Sequence, residues 1–177
     1  MQWKNSETRY GSIGKCLHGI TALGVIIMLG LGLVLANTDA AWKRPAIEIH
    51  KSIGIIILVL TALSILWRFY TKPPQRLATM GPLAKAAARL NYVLLYTLML
   101  AMPLTGWAMN SSFGKPVFLF GVITLPDLIA KDLHTALILK DLHGWLGYLL
   151  LTLTGLHILA SLYHQAVLKD GIMKRMF

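Results

Sequence analysis

Residues 142–157 read LHGWLGYLLLTLTGLH, an apolar run with a histidine near each end. As a helix it places His143 and His157, 14 residues apart in sequence, about 40° apart around the axis and about 21 Å apart along it. One helix face therefore offers an imidazole at two depths. A second stretch, IEIHKSIG at residues 47–54, opens another apolar run in the same way. In both, a glycine follows the histidine by four residues, Gly54 after His50 and Gly147 after His143.

The composition says where such helices lie. Apolar residues make up 56% of the 177-residue chain and charged residues 14%, too oily for a soluble domain of this size. The net charge of +10 reads as loop charge flanking membrane spans, so membrane lipid is an expected partner and nucleic acid is not. The single cysteine, Cys16, excludes an intramolecular disulfide, and without a CxxCH motif neither covalent haem attachment nor a thiolate zinc site is expected.

Four segments reach the roughly 20 residues needed to cross a hydrocarbon core about 30 Å thick: Ile13–Ala36, Ile47–Phe69, Leu90–Met109 and Gly144–Leu168. The expected fold class is an all-α integral membrane protein, a four-transmembrane-helix bundle forming one domain over residues 1–177. The first segment is longer than a signal-peptide core and reads as a retained helix. Pro73-Pro74 ends the second. Val117–Ala130, interrupted by Gly121 and Pro126, is too short to span and reads as an interfacial helix or a folded-over loop.

Orientation follows from the cations. The N-terminal segment (Lys4, Arg9, Lys15), the second loop (Arg68, Lys72, Arg76, Lys85, Arg89) and the C-terminal segment (Lys169, Lys174, Arg175) hold eleven basic residues, against six in the first and third loops. Cytoplasmic loops are the basic ones, so both termini are expected in the cytoplasm. Trp42, Trp67, Trp107, Trp145 and Tyr163 fall near span ends, where interface anchors belong.

With that topology the four span histidines sort into two layers. His18, early in the first helix, lies at the depth of His157, late in the fourth; His50 and His143 lie together near the other membrane face. Ionisable groups at such depth face a bundle interior. Two trans imidazoles on facing helices are what a six-coordinate b-type haem requires, the porphyrin supplying the other four ligands. Gly54, Gly147 and Gly14 each share a helix face with a histidine one turn away and would clear space for a flat macrocycle. The plainer readings are interhelical hydrogen bonding or proton relay for each histidine and close helix packing for the glycines. His164 lies one heptad beyond His157 and is a candidate quinone-site residue or an interface histidine. His134 reads as a solvated residue of the outer loop or as part of an outer donor site.

In the order ETRYGSIGKCLH (7–18), EIHKSIGI (48–55), LYTLMLAMPLTGW (95–107), GKPVFLFG (114–121), LHGWLGYLLLTLTGLH (142–157) and LKDGIMKRM (168–176), the chain resembles the bacterial cytochrome b561 family. That family shares a superfamily with the cytochrome b subunits of nickel hydrogenases and formate dehydrogenases. The resemblance implies two haem b groups, one held by His18 and His157 at the cytoplasmic side and one by His50 and His143 at the periplasmic side, in a bacterial inner (plasma) membrane. Gly19, Ser64 and Tyr92 stand where the family often has tryptophan, arginine and histidine.

The leading functional expectation is transmembrane electron transfer between the periplasmic face and a quinone pool, ubiquinone or another quinone. Arg68, Arg89 and Lys51 are candidate partners for haem propionates. The resemblance also implies an enzyme reading, superoxide oxidation coupled to ubiquinone reduction. Another is an anchoring subunit for a periplasmic redox partner. An ion or proton transporter is disfavoured by the scarcity of carboxylates in the spans.

Overall fold

A computed structural model describes residues 2–75 and 81–176. Arg76, counted above among the loop cations, lies outside the described residues. The helices are α1 (Ser12–Ala36), α2 (Lys43–Tyr70), α3 (Pro82–Ser112) and α4 (Leu133–Tyr163). Among the described residues these four rods, the last continued to Leu168, are long and apolar enough to cross a membrane. α1 packs on α2, α2 on α3 and α3 on α4, with a lighter contact closing α4 onto α1. Leu23, Leu66 and Leu159 stand more than 60% exposed on the outer faces, which suits a lipid solvent.

Buried apolar side chains gather at mid-height: Val25 and Met28 from α1, Ile57 from α2, Leu98 from α3 and Leu150 from α4. Leu150 sits halfway along α4 between His143 and His157. An apolar plug therefore separates the two histidine depths.

Three helix boundaries differ from the sequence expectation. α2 begins at Lys43, with Pro45 in its first turn, where the missing N–H costs no helical bond. α3 begins at Pro82 rather than Leu90, again with proline at the helix start; α4 begins at Leu133 rather than Gly144. The early turns of α3 and α4 carry Lys85, Arg89, Lys140 and Asp141, so a hydropathy criterion stops where the lipid would stop. The backbone continues because helix propensity and capping do not need lipid. His134 consequently lies in the first turn of α4, not in a loop.

The α3–α4 connection resolves the other open choice. Val117–Ala130 is a folded-over loop, not a helix, and carries strands β1 (Phe118–Leu119) and β2 (Ile123–Thr124), with Phe118 opposite Thr124 and Leu119 opposite Ile123. Its turn places Phe120 and Gly121 at φ 49° and 73°, as a primed hairpin turn requires. Both termini lie at the other end of the bundle, joined where Tyr10 N–H donates to Arg175 O at 3.0 Å. The two ends are called here the hairpin end and the terminal end.

Candidate haem-binding site

The four span histidines meet in two pairs. His50 on α2 faces His143 on α4 near the hairpin end, with ring centroids 6.4 Å apart. His18 on α1 faces His157 on α4 near the terminal end, with centroids 6.5 Å apart. Helix periodicity puts His143 and His157 on one face of α4, and α1 and α2 supply the opposing rings.

The spacing is informative. A metal–imidazole bond is about 2.0 Å and each nitrogen lies about 1.1 Å from its ring centre, so two imidazoles binding one metal from opposite sides would have centroids about 6.2 Å apart. Rings in direct contact through a shared hydrogen bond would need a nitrogen pair close to 3 Å. Among the described residues no group of three or more His, Cys, Asp or Glu converges. Each pair thus offers two donors, which suits a metal that arrives with its other ligands already attached. His50 Nδ1 is buried and has no hydrogen-bond partner among the described residues, a cost of about 1–3 kcal/mol unless something at the site compensates. An apolar cavity beside this pair is lined by both histidines, Met28, Gly54, Met99 and Met102. These features fit a b-type haem.

Comparison with known proteins agrees with that chemistry. The profile of the prokaryotic cytochrome b561 family matches residues 9–177. The chain belongs to this family. With membership come a b-type haem, electron transport and a transmembrane setting. Cytochrome b561 homolog 2 of Escherichia coli (strain K12) is 33% identical over 178 residues, covering 99% of this chain and 95% of the relative. Probable superoxide oxidase CybB of Yersinia pestis is 34% identical over 168 residues, covering 95% of each. Cytochrome b561 homolog 1 of E. coli is 30% identical over 132 residues, covering 73% of each.

The glycines divide by what they touch. Gly54 lines the cavity and a Cβ there would meet nothing within 4 Å, whereas a Cβ at Gly147 would meet Met102 Cε at 3.7 Å. Gly14 faces Asn5 and the Trp67 indole instead. The glycines that abut imidazoles are two that the sequence did not single out. A Cβ at Gly32 on α1 would lie 3.6 Å from His50 Cε1, and one at Gly106 on α3 would lie 3.1 Å from His143 Cε1. Both act across helix interfaces, so no same-helix spacing points to them.

Thr105 was also missed. Its hydroxyl donates to the Met102 carbonyl at 2.8 Å and lies 3.1 Å from His143 Nδ1. Pro103, inside α3, is the nearest sequence signal, since it marks a place where the helix surrenders a backbone bond.

The candidate cations are already engaged or peripheral. Arg68 lies over the Tyr92 ring at 3.9 Å, and Tyr92 stacks edge-on against Tyr96. Lys51 pairs with Glu48 at 2.7 Å and reaches Pro116 O at 3.4 Å, tying α2 to the hairpin loop. Arg89 is exposed.

His164 opens a π-helical turn, His164–Leu168, that ends on Lys169 at φ 51°. Its Nδ1 donates to Asp170 Oδ2, and Asp170 Oδ1 accepts from Ile172 N–H at 3.1 Å. Burial alone would push the Asp170 carboxyl up. The His164 and Ile172 hydrogen bonds outweigh it and hold the group below the usual carboxylate range. His164 is therefore oriented by a carboxylate, one heptad from His157.

Proposed function

We propose that the chain carries electrons across a bacterial inner membrane through two bis-histidine haems b, between the hairpin face and the quinone pool. The observation that carries this reading is the two facing imidazole pairs, with ring centroids 6.4 and 6.5 Å apart and displaced by about 21 Å along α4. A b-type haem, when bound, supplies a one-electron iron couple. His50 and His143 would hold one group, His18 and His157 the other. The mid-height plug of Val25, Met28, Ile57, Leu98 and Leu150 keeps water from bridging the two depths.

The excess of basic residues at the terminal end supports a cytoplasmic placing of that end. His164, held by Asp170 through Nδ1 and one heptad beyond His157, is the residue assigned to the quinone in this reading. A quinone taking up electrons also takes up protons, and a carboxylate-backed imidazole is suited to pass them.

A second reading, superoxide oxidation at the hairpin face, is favoured by the similarity to a relative named a probable superoxide oxidase. On this chain Lys43 pairs with Asp39 at 3.2 Å and Lys51 with Glu48, which weakens the attraction of an anion to that face.

Two measurements test these readings. The purified chain should contain two haems b, and each of the four histidine-to-alanine variants should lose one of them; a single haem, or loss of both in every variant, would overturn the two-site assignment. Rapid mixing with superoxide and a quinone analogue then separates carrier from oxidase, since quinone-dependent turnover is expected only of the oxidase.

A further inference from the structure

The two ligands at the hairpin end are not equivalent, and the difference lies on α3. Thr105 has one hydroxyl proton, and the 2.8 Å bond to the Met102 carbonyl uses it. In its 3.1 Å contact with His143 Nδ1 the oxygen must therefore accept. A neutral imidazole carries one N–H; with that proton on Nδ1, Nε2 is left as the bare lone pair.

Gly106 makes the approach feasible. With any larger residue the first side-chain atom would fall 3.1 Å from His143 Cε1 and 3.4 Å from Nδ1, pushing α3 and its hydroxyl away. Across the site, His50 Nδ1 has no hydrogen-bond partner among the described residues.

We propose that Thr105 is a positioning residue that fixes His143 as the Nδ1–H tautomer and delivers Nε2 to the hairpin-end haem. A hydrogen bond accepted from the distal nitrogen of a ligating imidazole raises the basicity of the ligating one. More basic ligation favours the ferric state, so Thr105 lowers the potential of one haem and leaves the other alone. This rests on the two-haem reading above.

Potentiometric titration of the haem spectrum tests it, in the wild-type chain, Thr105→Val and Thr105→Ser. Val keeps the shape and removes the hydroxyl; Ser keeps the hydroxyl and removes the methyl. The expected result is two one-electron waves in the wild type. In Thr105→Val one wave moves to higher potential, making that haem several-fold more reduced at the wild-type midpoint, and the other stays. Thr105→Ser keeps the wild-type waves. If Val drops the hairpin-end haem altogether, retention of both wild-type waves in Ser supports the same assignment. Two unshifted waves in Val, or a Ser variant displaced as far as Val, would overturn it while leaving the two-haem reading intact. Fewer than two haems in the wild type would overturn both.

Discussion

At the hairpin end the imidazole pair is gripped by the bundle itself, whereas at the terminal end it is closed by chain segments folded over the bundle mouth. His143 has Thr105 and Gly106 of α3 against its ring, and His50 has Gly32 of α1. His157 is exposed, and segments outside the spans tie to the helix ends at this mouth. Asn5 donates to Thr71 Oγ1 at 3.0 Å and accepts from Gly11 N–H, Lys4 lies between the Trp3 and Tyr70 rings, and Arg175 donates to Gln75 O. Helix–helix packing fixes a site to within fractions of an ångström, because neither rod can move without disturbing the whole interface. Folded-over segments leave room for something to enter and leave. A buried relay site suits the first arrangement and a mouth that exchanges a lipid-soluble substrate suits the second.

The contrast is broken most strongly at Gly106. Gly106→Leu drives its first side-chain carbon to within 3.1 Å of His143 Cε1, and His143 has no slack because Thr105 holds the same ring. The expected outcome is loss of the hairpin-end haem with the terminal-end haem retained, read from haem content and from the surviving redox wave. Gly147→Leu should do less, since its first carbon meets the flexible end of Met102 at 3.7 Å. Equal losses from the two variants would mean that close packing against His143 is not what specifies the site.

That ordering of glycines also marks how far sequence carries. The two histidine depths were legible because 14 residues on an α-helix is nearly an integral number of turns. Their partners were legible because alternating spans leave few ways to match depths. Gly32, Gly106 and Thr105 were not, because each acts on a ring belonging to another helix, and interhelical register is not encoded in any one segment. Spacing within a helix had drawn attention instead to Gly54 and Gly147, which border the cavity and a methionine. The starts of α3 and α4 were hidden for a different reason. Lys85, Arg89, Lys140 and Asp141 reveal where lipid ends, and the helices run on beyond it.

The hairpin is the next point of leverage. Ser52, buried two residues after His50, accepts from Phe120 N–H at 2.9 Å and shares its proton between Glu48 O at 3.0 Å and Phe118 O at 3.1 Å. It thereby holds Phe120 in a left-handed conformation that a residue with a side chain resists by about 1–2 kcal/mol. Ser52→Ala leaves the partly buried Phe120 N–H without its acceptor, at about 0.5–1.5 kcal/mol. The hairpin should loosen over the His50–His143 pair, seen as faster hydrogen exchange at Phe120 and Val122 with haem content unchanged. Unchanged exchange would show that Lys51 and the strand pairing hold the hairpin without Ser52.

The smallest effect is expected where α4 starts outside the lipid. Asp132 Oδ2 accepts from Thr135 N–H at 2.7 Å as an N-cap, and hydrogen bonds from Thr135 hold its carboxyl below the usual range. A group whose folded value lies below its unfolded value contributes stability above the unfolded value and loses it as pH falls through the folded one. The first turn of α4 should therefore stay protected near neutral pH and fray only below about pH 4. Asp132→Ala should fray the same turn at every pH, exposing the amides of Thr135 and Ala136 to exchange while both histidine pairs, beginning two turns further in at His143, keep their haems. If that variant instead lost the hairpin-end haem, the extramembrane turns of α4 would be part of what aligns His143, and the grip assigned above to α3 alone would have to be shared with them.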